Sequence, residues 1–208
     1  MRKLLFALCG VLLMLPVLTT AHAEDSSHKA SRLTEYEKTS PPTGFVDFCT
    51  RLPNDPNCKT QPQKATAPEQ MTATLWETLD QVNTSVNERI HFVTDKELYR
   101  VNDYWAYPLD AGDCEDYVLL KQRTLLGLGF SLHNLLITEV YNERVEDHVI
   151  LTVVTSEGEF VLDNRRADIL PSNQTGYTYL KRQSQTSPRR WRALYDMKKA
   201  LEEHFASK

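Results

Sequence analysis

The hydrophobic period of the chain changes once, and the change divides it into a helical half and a sheet half. Between residues 68 and 93, Met71, Leu75, Leu79, Val82, Val86 and Ile90 recur every three or four positions, which predicts an amphipathic helix. A loop holding Asp103, Trp105 and Pro108 follows. The next helix is predicted from Asp113 to Leu126, with Asp113 as N-cap and Gly127 and Gly129 as the stop. Beyond it the pattern turns to β-branched and apolar runs: Leu135 to Tyr141, His148 to Thr155 and Glu159 to Leu162, the last two joined by the hairpin signal Ser156-Glu157-Gly158. Tyr177 to Gln183 reads as a further strand. From Pro188 onward, Trp191, Leu194, Tyr195, Met197 and Leu201 suggest a closing helix. Helices first and an antiparallel sheet afterwards predict an α+β domain.

The N-terminal stretch belongs to a different kind of segment. Arg2 and Lys3 precede the apolar run Leu4 to Leu18 and then Ala21-His22-Ala23, the pattern of a secretory signal peptide cleaved after Ala23. The run is too short, and lacks the following charge cluster, to be read as a bilayer span of about 20 residues. Cys9 would leave with it. Residues 24–43 are polar and aperiodic and read as a flexible leader, which assigns 44–208 to one domain. A net charge of −4 and a pI of about 5.9, with no basic stripe, argue against nucleic acid as a partner. No later apolar run is long enough to span a membrane.

Three cysteines remain after export: Cys49, Cys58 and Cys114. In an oxidising compartment, an odd count implies one pair and one free thiol. Cys49 and Cys58 flank RLPNDPN, a tight proline- and asparagine-bearing loop, and form the natural disulfide. Cys114 is left free.

Cys114 stands in GDCEDYVLLK, at the start of the second predicted helix, where unpaired N–H groups and the positive end of the helix dipole favour a thiolate and, later, an oxyanion. His148 opens one predicted strand and Asp163 ends its neighbour, so a nucleophile, a base and an orienting carboxylate fall in usable places. Asp147 and Asp168 are alternative orienters. A zinc site on Cys114, His148 and a carboxylate is disfavoured by the single thiol and the absence of paired-ligand spacing. Asp113, Glu115 and Asp116 surround the thiol with negative charge, which opposes thiolate formation. They serve either as helix-terminus residues alone or as ligands of a cation.

GDCEDYVLLK, the preceding VNDYWAYPLDA, the later DHVILTVV and FVLDNRR, together with GFVDFC and the VN-x-x-VN of Val82-Asn83 and Val86-Asn87, resemble the bacterial transglutaminase-like cysteine proteinases from about Gly44 to Trp191. The resemblance implies a papain-like or transglutaminase-like core and a periplasmic cysteine endopeptidase with the triad Cys114, His148 and Asp163. In a proteinase of this kind the oxyanion would be held by the Cys114 N–H and a second donor, for which Trp105 is the candidate. The resemblance also implies Ca²⁺ bound by Asp113 and Glu115, with proteolysis dependent on it, while Asp116 stays unassigned. The expected substrate is a large surface adhesin involved in biofilm, and the expected regulator an inner-membrane receptor responsive to cyclic di-GMP. Two other functions remain open at this point: acyl transfer to an amine by the same triad, as in a transglutaminase or amidase, and a non-catalytic calcium-binding adaptor.

Overall fold

The computed structural model describes residues 30–60 and 64–196. The signal-peptide reading of residues 1–23 lies outside them, as does everything after Asp196. The chain enters through a short strand, β1 (Lys38–Thr39), and a helix, α1 (Thr43–Arg51). Helix α2 (Ala73–Arg89) begins where the Thr72 side chain accepts a hydrogen bond from the Leu75 N–H, so the predicted 68–93 helix is trimmed at its capped end. There follow β2 (His91–Phe92), the single turn α3 (Asp95–Leu98), β3 (Ala111–Gly112) and α4 (Cys114–Gly127). The remainder is sheet: β4 (Leu135–Tyr141), β5 (Asp147–Thr155), β6 (Gly158–Leu162), β7 (Leu170–Pro171), β8 (Thr178–Ser184) and β9 (Ser187–Ala193).

Seven of these strands form one antiparallel sheet in the order β1-β9-β8-β4-β5-β6-β7. The fold is α+β, as the change of period predicts. Leu135, Ile137, Val149, Leu151, Val153, Phe160 and Leu162 point to the side where α2 and α4 pack, whereas Val140, Ile150 and Val161 point to the other side, against Tyr177. Because both faces are covered, β5 is buried at every position after Asp147 and does not alternate between apolar and charged residues.

GFVDFC lies within the helix α1. Phe45 and Phe48 are fully buried in it, and the Phe45 ring meets Trp105 and Trp191 edge-on with centroids 5.5 Å away in each case. Aromatic pairs of this kind contribute about 0.5–1.5 kcal/mol beyond area burial. The Cys49–Cys58 disulfide is formed across a Cα separation of 5.2 Å and ties α1 to the turn that buries Asn57. That asparagine donates to Gln122 on α4 at 2.7 Å and accepts from Gln183 on β8 at 3.0 Å.

Two expectations are corrected. Pro188 onward does not open a helix: β9 runs to Ala193, with Trp191 and Ala193 buried on one face at a spacing of two. Trp191, Leu194 and Tyr195 imitate a helical spacing; the Met197 and Leu201 part of that expectation lies outside the described residues. Nor are residues 30–43 a loose leader. Ala30 is buried against Gly158, whose φ of +115° and 1.9 Å clearance from the Ala30 carbonyl oxygen to a built Cβ both require glycine. Farther along, Arg182 donates to Glu35 at 3.0 Å and to Glu159 at 2.7 Å, and Glu159 also accepts from the Leu33 N–H at 3.2 Å. A polar strap thus crosses the sheet on buried charge pairs.

The Arg182→Ala variant leaves the Glu159 carboxylate buried without its cation. Urea denaturation should show a loss of about 3–5 kcal/mol, and a loss under about 1 kcal/mol would mean the strap is held by surface contacts only.

Candidate active site

Cys114 is the first residue of α4, the second residue of β5 is His148, and Asp163 follows the last residue of β6. The β5–β6 register pairs Leu151 with Leu162, which places His148 and Asp163 as diagonal neighbours across the ladder. The His148 Nε2 lies 2.8 Å from Asp163 Oδ1, and both side chains are almost wholly buried. Asp163 is itself held: its Oδ2 accepts from the Tyr177 hydroxyl at 2.6 Å and its Oδ1 from the Arg165 N–H at 2.9 Å. Burial raises the Asp163 pKa, but His148, Tyr177 and the Arg165 amide together more than offset it, leaving the carboxyl below its ordinary value. Asp147 and Asp168, the alternative orienters, are exposed, and neither takes the imidazole.

Cys114 and His148 line the same two cavities. One, of about 440 Å³, also has Asp113, Glu115, Trp105, Glu139 and Lys181 in its wall; the other, of about 450 Å³, has Phe92, Asn142, Arg144 and Arg165. With Nε2 on Asp163, Nδ1 is the ring nitrogen left for the thiol. The thiol instead donates to Glu115 Oε2 at 3.2 Å. Burial, followed by the charges of Glu115 and Asp113, raises its pKa well above the ordinary value. A protonated, poorly nucleophilic sulfur is what such surroundings produce.

The carboxylates around α4's N-terminus are arranged in a way the sequence does not disclose. Asp113 sits at the N-cap position, yet its side chain makes no capping bond; its Oδ2 accepts from the Asp95 N–H at 3.1 Å. Asp116 Oδ1 accepts from the Ala106 N–H at 2.7 Å, and Asp95 Oδ2 from the Tyr104 N–H. Each carboxylate is therefore anchored through one oxygen, and the other oxygens, Asp95 Oδ1, Asp113 Oδ1 and Asp116 Oδ2, are buried with no partner. Among the described residues, two groups could hold a metal: Asp95 with Asp113 and Asp116, and Asp95 with Asp103 and Glu115. Gly112 makes room for this convergence, since a Cβ there would stand 2.4 Å from Asp116 Oδ2. Both groups are all-carboxylate, a ligand type that suits hard cations.

Asp95 was invisible to sequence reading: it lies 18 residues before Asp113, and the pairing of β2 with β3 is what brings them together. Trp105, the candidate second oxyanion donor, directs its indole N–H to Asp103 Oδ1 at 2.9 Å and is not free for that role in this arrangement.

The model of the family described as bacterial transglutaminase-like cysteine proteinase matches residues 35–199. The chain belongs to that family. By its description, that family is one of cysteine proteinases. Three solved structures of Legionella pneumophila LapG are similar to this proteinase. The calcium-bound form is 24% identical, with 52% of this chain and 64% of that one covered and a TM-score of 0.46. The EGTA-treated form is 26% identical, with coverage of 52% and 62% and a TM-score of 0.46. A third is 23% identical, with 64% and 76% covered and a TM-score of 0.50, and shares the fold. The proteinase spans less than two thirds of the length of the first two. No curated protein sequence matches it.

Burial, ahead of the surrounding charges, raises the Asp116 pKa to about 8, and burial with the Asp113 charge raises Glu115 as well. A raised carboxyl holds its proton more tightly folded than unfolded. Its contribution is fully present below the ordinary carboxylate range and is lost as pH rises through the folded value. The Tm of EGTA-treated protein should thus fall between about pH 5 and pH 8, and Asp116→Asn should flatten that fall. A Tm that climbs across this window in calorimetry would contradict the raised carboxyls.

Proposed function

We propose that this chain is an exported, calcium-dependent cysteine endopeptidase acting through Cys114, His148 and Asp163. The observation that carries the reading is the buried His148–Asp163 pair, 2.8 Å apart, opening onto the cavities that Cys114 also lines. His148 Nδ1 accepts the thiol proton as Sγ bonds to the peptide carbonyl carbon. The imidazolium then protonates the departing amine, and a water molecule, deprotonated by the same nitrogen, releases the acyl group. Asp163 fixes the tautomer and stabilises the imidazolium, while Tyr177 and the Arg165 N–H fix Asp163. The Cys114 N–H, at the first residue of α4 and without an intrahelical acceptor, faces the developing oxyanion.

Three buried, partnerless carboxylate oxygens beside the thiol fit a hard divalent cation, because Ca²⁺ takes six to eight oxygen ligands. Asp95, Asp113 and Asp116 would hold it, with Glu115 turned from the thiol to the ion. When bound, it supplies positive charge that lowers the cost of a thiolate beside these carboxylates. Asp113 and Glu115 keep the role expected from the sequence, and Asp95 and Asp116 join them. Export through a cleaved N-terminal segment places the enzyme in the periplasm. The family resemblance points to a large surface adhesin as substrate and a cyclic-di-GMP-responsive inner-membrane receptor as regulator.

Cys114→Ala should abolish cleavage of a co-expressed adhesin with no change in Tm; retained cleavage would sink the assignment. Amine incorporation exceeding hydrolysis in a labelled-amine assay would reassign the reaction to acyl transfer.

EGTA should lower both activity and Tm, calcium should restore them, and Asp116→Asn should remove that restoration. If chelation changes neither quantity, the carboxylates bind no functional ion.

A further inference from the structure

Lys121 lies on α4 seven residues, or two turns, after Cys114 and is wholly buried. Burying an ammonium is costly, and a methionine of similar length would fill the space without that cost. Its Nζ donates to Asn83 Oδ1 on α2 at 2.7 Å. That bond fixes which way the amide points: Asn83 Nδ2 donates to the carbonyls of Ala167 at 3.0 Å and Arg166 at 3.4 Å. One turn on, on the same face of α2, Asn87 Nδ2 donates to the Asp163 carbonyl at 2.9 Å and the Arg166 carbonyl at 3.2 Å. The asparagines of VN-x-x-VN thus both grip the segment that begins at Asp163, and Lys121 braces the first of them from the helix of the nucleophile. Burial brings the Lys121 pKa down to about 7, with the Asp163 carboxylate pulling the other way.

We propose that Lys121, Asn83 and Asn87 are positioning residues for the acid of the triad, setting where Asp163, and through it His148, stands relative to Cys114. The inference rests on the triad reading above. Neither asparagine side chain touches the Asp163 carboxylate, so the effect runs through its backbone. A strut between the nucleophile's helix and the acid's turn keeps two otherwise separate parts of the site in one frame, and misplacement of about 1 Å is enough to cost a hundred-fold in rate.

The test is the rate of Cys114 alkylation by iodoacetamide across pH in saturating calcium, on the full chain, with Tm measured for each variant. Lys121→Met and Asn87→Ala should each slow alkylation near neutral pH about ten-fold or more and move the profile toward that of Asp163→Asn. Lys121→Gln, which can still donate to Asn83, should recover part of the rate; equal loss in both Lys121 variants at wild-type Tm overturns the strut. Slow Asp163→Asn beside folded Lys121→Met and Asn87→Ala at wild-type rate overturns it too and leaves the triad standing. Wild-type rate in Asp163→Asn instead removes the triad reading itself. Should Lys121→Met fail to fold, the half-buried Asn87→Ala decides.

Discussion

Mutual repulsion among buried carboxylates governs this protein. Asp95, Asp113, Glu115 and Asp116 converge at the start of one helix, where the dipole alone offsets only part of their charge. The backbone of the 95–116 segment is shaped to hold them there, lending the amides of Asp95, Tyr104 and Ala106 to one oxygen of each aspartate. Such an arrangement is stable in two ways: with protons on some carboxyls, or with a cation among them. Here the Cys114 thiol donates to Glu115, and burial and the neighbouring charges raise its pKa; under the proposed function a bound cation would free it. Under that proposal, reactivity depends on the occupancy of the acidic cluster rather than on the thiol alone.

The proposed base and its acid stand on a different support. His148 and Asp163 sit on β5 and just past β6, in a sheet covered on both faces and stapled at one side by the α1 disulfide. Cys114, the proposed nucleophile, belongs to α4, which rests on β5 through Val149 and its neighbours. A sheet-borne pair and a helix-borne thiol can each be rigid and still be misaligned with the other, so the contacts bridging the two matter to chemistry as well as to stability.

Much of this was legible beforehand. The spacing of Leu75, Leu79, Val82 and Val86 specified α2, and the β-branched runs specified β4, β5 and β6 nearly to the residue. The order cysteine, histidine, aspartate pointed to Cys114 and His148, which line the same two cavities, and to Asp163, which is hydrogen-bonded to His148. What stayed hidden depended on distance in sequence. Glu35 looks like solvated leader because its partner, Arg182, lies 147 residues away. Asp95 looks like an ordinary first-turn acid until β2 and β3 pair. Trp191 looked helical because Leu194 and Tyr195 follow at helical spacing, while the burial that decides the matter alternates through Ala193. Periodicity reports which face is buried; it does not report what a charge will meet.

The strap also fixes the direction from which the polypeptide enters. Ala30 rests on Gly158, at the end of the β5–β6 hairpin remote from His148, roughly 20–25 Å along the strand at about 3.3 Å per residue. The strap then travels back across the sheet until Pro42 and Thr43 form part of the cavity wall beside Cys114. The strap thus links the hairpin end farthest from His148 to the rim of the cavity that Cys114 lines.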